Sequence, residues 1–158
     1  MFYDCSSLNE LNLNNFNTNN VIDMSRMFGV CSSFKKLNFN NFITNNVTNI
    51  RGMFCDCSAL KKLNVNNFYT DNVTDMGFLF AGCSSLKELN LSNFNINNVT
   101  NMIKMFSGCL DELKLKIRSQ YKNFQEMAFD DDNSDDDNSD DDNSDDDNSD
   151  DVNSDDDN

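Results

Sequence analysis

A 26-residue period runs through this chain and constrains its fold more than any other feature. Each copy opens on Met-Phe, once Leu-Phe: Met1-Phe2, Met27-Phe28, Met53-Phe54, Leu79-Phe80 and Met105-Phe106. Three residues after each Phe stands a cysteine: Cys5, Cys31, Cys57, Cys83 and Cys109. A fixed period of this length marks an array whose units bury their apolar faces only against one another. The expected fold class is therefore an α/β repeat solenoid, leucine-rich-repeat-like, with one short parallel strand and one short helix per repeat. The repeats run 1-26, 27-52, 53-78, 79-104 and, in part, 105-117.

Within a unit, Phe34, Leu37 and Phe39 give apolar-x-x-apolar-x-apolar, matched by Leu8-Leu11-Leu13, Leu60-Leu63-Val65 and Leu86-Leu89-Leu91. The last two positions alternate with Asn, as a half-buried strand would. Stacked copies would then form one parallel sheet. A further Phe follows at Phe16, Phe42, Phe68 and Phe94. Val47, Ile50, Phe54 and Cys57 fall at helical spacing, as do their counterparts in other repeats. Asn20, Asn46, Asn72 and Asn98 precede the Val column, where a short polar side chain can cap a helix. Asp23, Asn49, Asp75 and Asn101 lie three residues on, a weak relative of a capping box. Gly29, Gly82 and Gly108 suit a helix exit.

The fifth repeat departs from the pattern. Leu110, Leu113 and Leu115 keep the strand spacing, and Ile117 extends it. Tyr121, Phe124 and Met127 or Ala128 then return at helical spacing. The reading is a capping helix at about 118-129 that closes the last open edge; a frayed, degenerate repeat is the alternative. Met1 falls on the repeat's own Met column with no secretory leader before it. The expectation is a piece of a longer array, because a first repeat normally carries a polar cap.

Charge divides the chain in two. Residues 1-129 hold all 12 Lys and Arg against 10 Asp and Glu, a net of +2. Residues 130-158 hold 17 Asp and no base, so the chain's net charge of −15 belongs to this Asp/Asn/Ser-rich tail. Such a segment has nothing to bury and is expected to be disordered. It can be a solvating extension, a charged stalk, or a weak calcium or mineral binder. It lacks the glycine turn and distal glutamate of a calcium loop. It can also screen the body's lysines in cis.

The run Met53-Phe54-x-x-Cys57-Ser58-x-Leu60-x-x-Leu63-Asn64-Val65-x-Asn67-Phe68-x-Thr70-x-Asn72-Val73-Thr74-Asp75-Met76 resembles the 26-residue leucine-rich-like repeat of BspA-type surface proteins. That repeat also occurs in mycoplasma lipoprotein-associated domains, lactic-acid-bacterial surface proteins and protist families. The resemblance covers residues 1 to about 117. It implies a surface-exposed adhesion or recognition module at the cell surface or outside the cell, with no catalytic residues to carry over. The leader, anchor signal and flanking domains of such proteins are not seen in this sequence.

Catalysis has little to stand on. Histidine is absent, which removes the commonest general base, and no glycine-rich phosphate loop follows a strand. The chain is read as no enzyme, with no cofactor. The cysteine column is read as small apolar filler. Cys55-x-Cys57 has no His and no second cysteine pair to complete a zinc site. No apolar run approaches the roughly 20 residues of a membrane span.

The candidate interaction surface is the outward strand face. It carries Asn12, Asn38, Asn64 and Asn90, flanked by Asn40 and Asn66, with a basic ladder of Lys35, Lys36, Lys61, Lys62 and Lys87. The Asn strip can recognise a partner or merely satisfy the sheet surface by amide stacking. The lysines can attract an anionic glycan or acidic protein, or stand as ordinary solvated charge. The Asn-Val-Thr sequons at Asn46, Asn72 and Asn98 and Asn90-Leu91-Ser92 are glycan acceptors in a eukaryotic secretory pathway; helix capping explains the first three without glycans. The expected partner is a protein or glycan bound by a monomer. Nucleic acid is not expected, since a −17 tail repels a phosphate backbone.

Overall fold

The computed structural model describes residues 1-13, 15-39 and 41-131. The acidic run expected to be disordered lies outside the described residues beyond Asp131.

Corresponding residues of successive repeats lie side by side. Four short strands follow the apolar-x-apolar positions: β1 Glu10–Leu11, β2 Lys36–Leu37, β3 Lys62–Asn64 and β4 Glu88–Asn90. Pairing is parallel and in 26-residue register, Leu11 against Leu37 in one sheet and Leu63 against Leu89 in the other. The leucines point inward and the flanking Lys, Glu and Asn outward, as a period of two dictates. The expected single parallel sheet is instead two separate two-stranded sheets.

The helix expected in each repeat does not form among the described residues. Met24, Met27, Phe28 and Cys31 are buried at i, i+3, i+4 and i+7, the spacing that suggested a helix. The backbone there is a run of overlapping β-turns. Met27 N–H donates to the Met24 carbonyl (3.2 Å), Gly29 to Arg26 (3.1 Å) and Cys31 to Phe28 (3.4 Å). Arg26 and Val30 have φ of 51° and 61°, the left-handed region that an α-helix cannot contain. In the next repeats the same two columns are filled by Gly52 and Asp56, then Phe78 and Gly82. Gly29, read as a helix exit, has no positive φ; its neighbour Val30 does.

These turns free alternate N–H groups to reach the next repeat. Met24, Arg26, Phe28 and Val30 donate to the carbonyls of Asn49, Arg51, Met53 and Cys55 at 2.7–3.0 Å. Ile50, Gly52, Phe54 and Asp56 repeat the pattern onto Asp75, Gly77, Leu79 and Ala81. We call this series of bonds the turn ladder. Gly82 is held to glycine doubly, by its φ of 69° and by Asp56 Oδ1, which would lie 2.1 Å from an added Cβ.

Beneath the turn ladder the aromatic column is continuous. Phe2, Phe28, Phe54, Phe80 and Phe106 stack at 5.6–5.9 Å between ring centroids, with interplanar angles of 3–18°. Phe39 meets Phe28 and Phe54 edge-on at 5.6 and 5.5 Å, joining the turn ladder to the chain that leaves the strands. Fully buried rings in such offset and edge contacts supply most of the packing energy.

The cysteines extend this core. Cys57 Sγ donates to the Phe28 carbonyl (3.2 Å), Cys83 to Phe54 (3.1 Å) and Cys109 to Phe80 (3.2 Å). Burial pushes the Cys57 and Cys109 thiols up to about 12, so they act as protonated donors. All six cysteines are free.

Two further columns tie repeats together. The hydroxyl of buried Thr44 donates to the Tyr69 carbonyl (2.9 Å) and accepts from the Tyr69 N–H (2.8 Å); Thr18 and Thr70 do the same one repeat earlier and later. Asn46, Asn72 and Asn98, expected to cap helices, instead donate side-chain amides to the Asn19, Asn45 and Asp71 carbonyls of the preceding repeat at 2.6–2.7 Å. Asp23, Asn49, Asp75 and Asn101 accept from the N–H two residues on, which makes Asx turns rather than capping boxes.

At the C-terminal end, the strand expected at 110-117 and the helix expected at about 118-129 are both displaced. The helix is α1, Asp111–Gln120. Its segment has no Asn, Gly or β-turn pair, and Asp111, Glu112 and Arg118 complement the helix dipole. Leu113 and Ile117 face inward together at i, i+4, while Leu115 is exposed. A 3-10 turn at Glu126–Ala128 follows, and the chain then completes the ladders. Lys104 and Phe106 donate to the Met127 and Ala128 carbonyls, both at 2.7 Å. The Phe129 ring stacks on Phe106 at 5.1 Å. Gly108 N–H, whose counterpart Gly82 donates to a backbone carbonyl, is met by Asp131 Oδ1 at 2.9 Å.

Candidate functional site

The strand face presents every sequence-predicted contact residue that the structure describes. Lys35, Lys36, Lys61, Lys62 and Lys87 are exposed, and so are Asn12, Asn38, Asn64, Asn66 and Asn90. Asn40 lies outside the described residues. Parallel register sets these side chains in rows across the strands. One row reads Glu10, Lys36, Lys62, Glu88, so the basic centre is flanked by an acid on each side.

Lys62 Nζ lies 2.5 Å from Glu88 Oε2. The hydrogen bond from Lys62 lowers the Glu88 carboxyl below its ordinary value. Both side chains are more than 60% exposed, where such a pair adds little to stability but does fix where the charge sits.

The Asn strip is only partly available. Asn64 Oδ1 accepts from the Asn66 N–H (3.1 Å) and Asn90 Oδ1 from the Ser92 N–H (2.9 Å). These local bonds shape the exit from the strand. Tyr121 donates its hydroxyl proton to Asn90 Oδ1 (3.3 Å) and accepts from the Leu91 N–H (3.1 Å). The segment after α1 thus covers the fourth repeat's end of the strip.

The face is not flat. β2 and β3 are neighbours, yet they belong to separate two-stranded sheets. A hollow of about 420 Å³ lies at this seam, lined by Lys35, Lys36, Leu37, Asn38, Lys61, Lys62 and Asn64. Four lysines line it, one of them, Lys62, already paired with Glu88, so the local charge there is positive. Sequence reasoning found these lysines but not the seam, because strand spacing is the same whether or not neighbouring strands bond.

Elsewhere, Cys55 is half-buried and donates to Asp56 Oδ2 (3.3 Å). Burial, with Asp56 beside it, raises its thiol to about 12, so it is a poor nucleophile. No group of three or more metal-ligating side chains occurs among the described residues, and none of their helices is long and apolar enough to cross a membrane.

The family described as Mycoplasma protein of unknown function, DUF285, matches residues 31–130. No curated protein and no solved structure matches.

Proposed function

We propose, from the premise that this chain belongs to the DUF285 family, that it is a short solenoid serving as a non-enzymatic recognition module. Its contact face is the strand side, centred on the seam between β2 and β3. The resemblance to BspA-type surface repeats supports a role at a cell surface or outside the cell, with a protein or glycan as the bound partner. The observation that carries the reading is the grouping of Lys35, Lys36, Lys61 and Lys62 around an exposed hollow. Buried columns account for the periodic apolar residues, whereas these lysines are exposed.

The test is array binding by the full chain against acidic glycans and proteins, compared with a Lys36→Gln, Lys62→Gln double variant. Loss of a reproducible ligand with unchanged thermal unfolding supports recognition. Equal binding by both proteins refutes this face. A structural role, as a spacer in a larger array, is favoured by the local hydrogen bonds of Asn64 and Asn90. Absence of any ligand would select it.

A further inference from the structure

We infer that the lysine seam is regulated by the chain's own acidic run, which competes there with acidic ligands. The inference rests on the recognition reading above and adds an intramolecular competitor to it.

Three observations converge. First, the seam gathers Lys35, Lys36, Lys61 and Lys62 on a body of net charge +2, where Glu88 pairs with Lys62 alone of the four among the ion pairs described. Second, the acidic run is already attached to this body by a lysine. Asp131 is gripped by Lys114 Nζ at 2.8 and 2.7 Å and by the Gly108 N–H at 2.9 Å. Lys114 is itself buried, so the root of the run is fixed on the fifth repeat. Third, residues 132-158 carry 15 further Asp and no base.

Reach is no obstacle. The seam lies between the second and third repeats, about 15 Å along the stack at the spacing of paired strands. Twenty-seven residues can span several times that, at up to about 3.3 Å each. A tethered polyanion meets its site at an effective concentration in the millimolar range. A free acidic ligand must therefore displace it, and the competition is expected to fade as salt shortens the Debye length to a few ångströms.

The experiment uses the full chain and a full-length variant with all 15 Asp of residues 132-158 replaced by Asn. The probe is a fluorescein-labelled aspartate 20-mer, followed by anisotropy at low and at high salt. The variant is expected to bind roughly tenfold more tightly at low salt, with the gap closing at high salt. Adding Lys35→Gln, Lys36→Gln, Lys61→Gln and Lys62→Gln to the variant should abolish the gain. Equal affinity of the two chains, or no binding by either, overturns the inference while leaving the array test of recognition to stand separately. Carbodiimide cross-linking of the unmodified chain gives an independent readout. Intramolecular links from the acidic run to Lys35, Lys36, Lys61 or Lys62 support it, and links spread evenly over Lys87, Lys104 and Lys122 overturn it.

Discussion

The turn ladder and the strand face are built from the same repeats, yet they differ in continuity. Along the turns, hydrogen bonds, phenylalanine rings and cysteine thiols pass from repeat to repeat through to Phe129. Along the strands, the ladder breaks between β2 and β3, and the hollow with its lysines sits at that break. Stability is thus concentrated on one side, which leaves the other free to carry charge. Lysines facing one another across strands are unfavourable neighbours, and a side that does not hold the molecule together can accommodate them.

Substitutions can break this contrast, in decreasing size. Phe54→Ala removes a fully buried ring between two stacked partners and should cost about 3–5 kcal/mol, read from denaturant unfolding. Thr44→Val keeps the volume but strands the Tyr69 N–H and carbonyl; the loss should be about 1–3 kcal/mol.

Asp131→Asn should lower the melting temperature near neutral pH by less. Hydrogen bonds from Lys114 and Gly108 hold the Asp131 carboxyl below its ordinary value. The stabilisation is therefore present above the unfolded value of about 3.9 and lost as pH falls through the folded one. Melting curves of the two proteins should converge in acid. A gap that persists once Asp131 of the unmodified chain is protonated would mean that packing, not charge, holds this end.

Val30→Gly relieves a β-branched residue at φ 61° and should be neutral or stabilising by up to about 1 kcal/mol. Smallest of all, Lys36→Gln with Lys62→Gln should shift stability by less than about 0.5 kcal/mol. A loss comparable to that of Thr44→Val would show the strand face to be structural.

Much of this was legible in the columns. The period placed Phe28, Cys31, Leu37 and Val47 inside and Lys36 and Asn38 outside, as they are. What spacing could not settle was backbone conformation. Overlapping turns and an α-helix both bury i, i+3, i+4 and i+7, and only the left-handed residues at Arg26 and Val30 distinguish them. The recurrence of Thr18, Thr44 and Thr70 was visible, but a hydroxyl that replaces a backbone pairing leaves no trace in polarity. The closing helix was misplaced because Leu113 and Ile117 satisfy strand and helix spacing alike. The separation of β2 from β3 leaves no mark in the spacing, because bonded and unbonded strands share one apolar-x-apolar pattern; hollows of about 460 and 420 Å³ also lie over the paired strands, so the lysines rather than the break single out this one.

Amide hydrogen exchange resolved by residue tests the contrast most directly. Under native conditions the amides of Phe54, Asp56 and Phe80 should exchange only by global unfolding, while residues 61-64 should on average exchange roughly tenfold faster or more. Equal protection on the two sides, or exchange of Phe54 and Phe80 before residues 61-64, would contradict the division between a continuous turn ladder and an interrupted strand face.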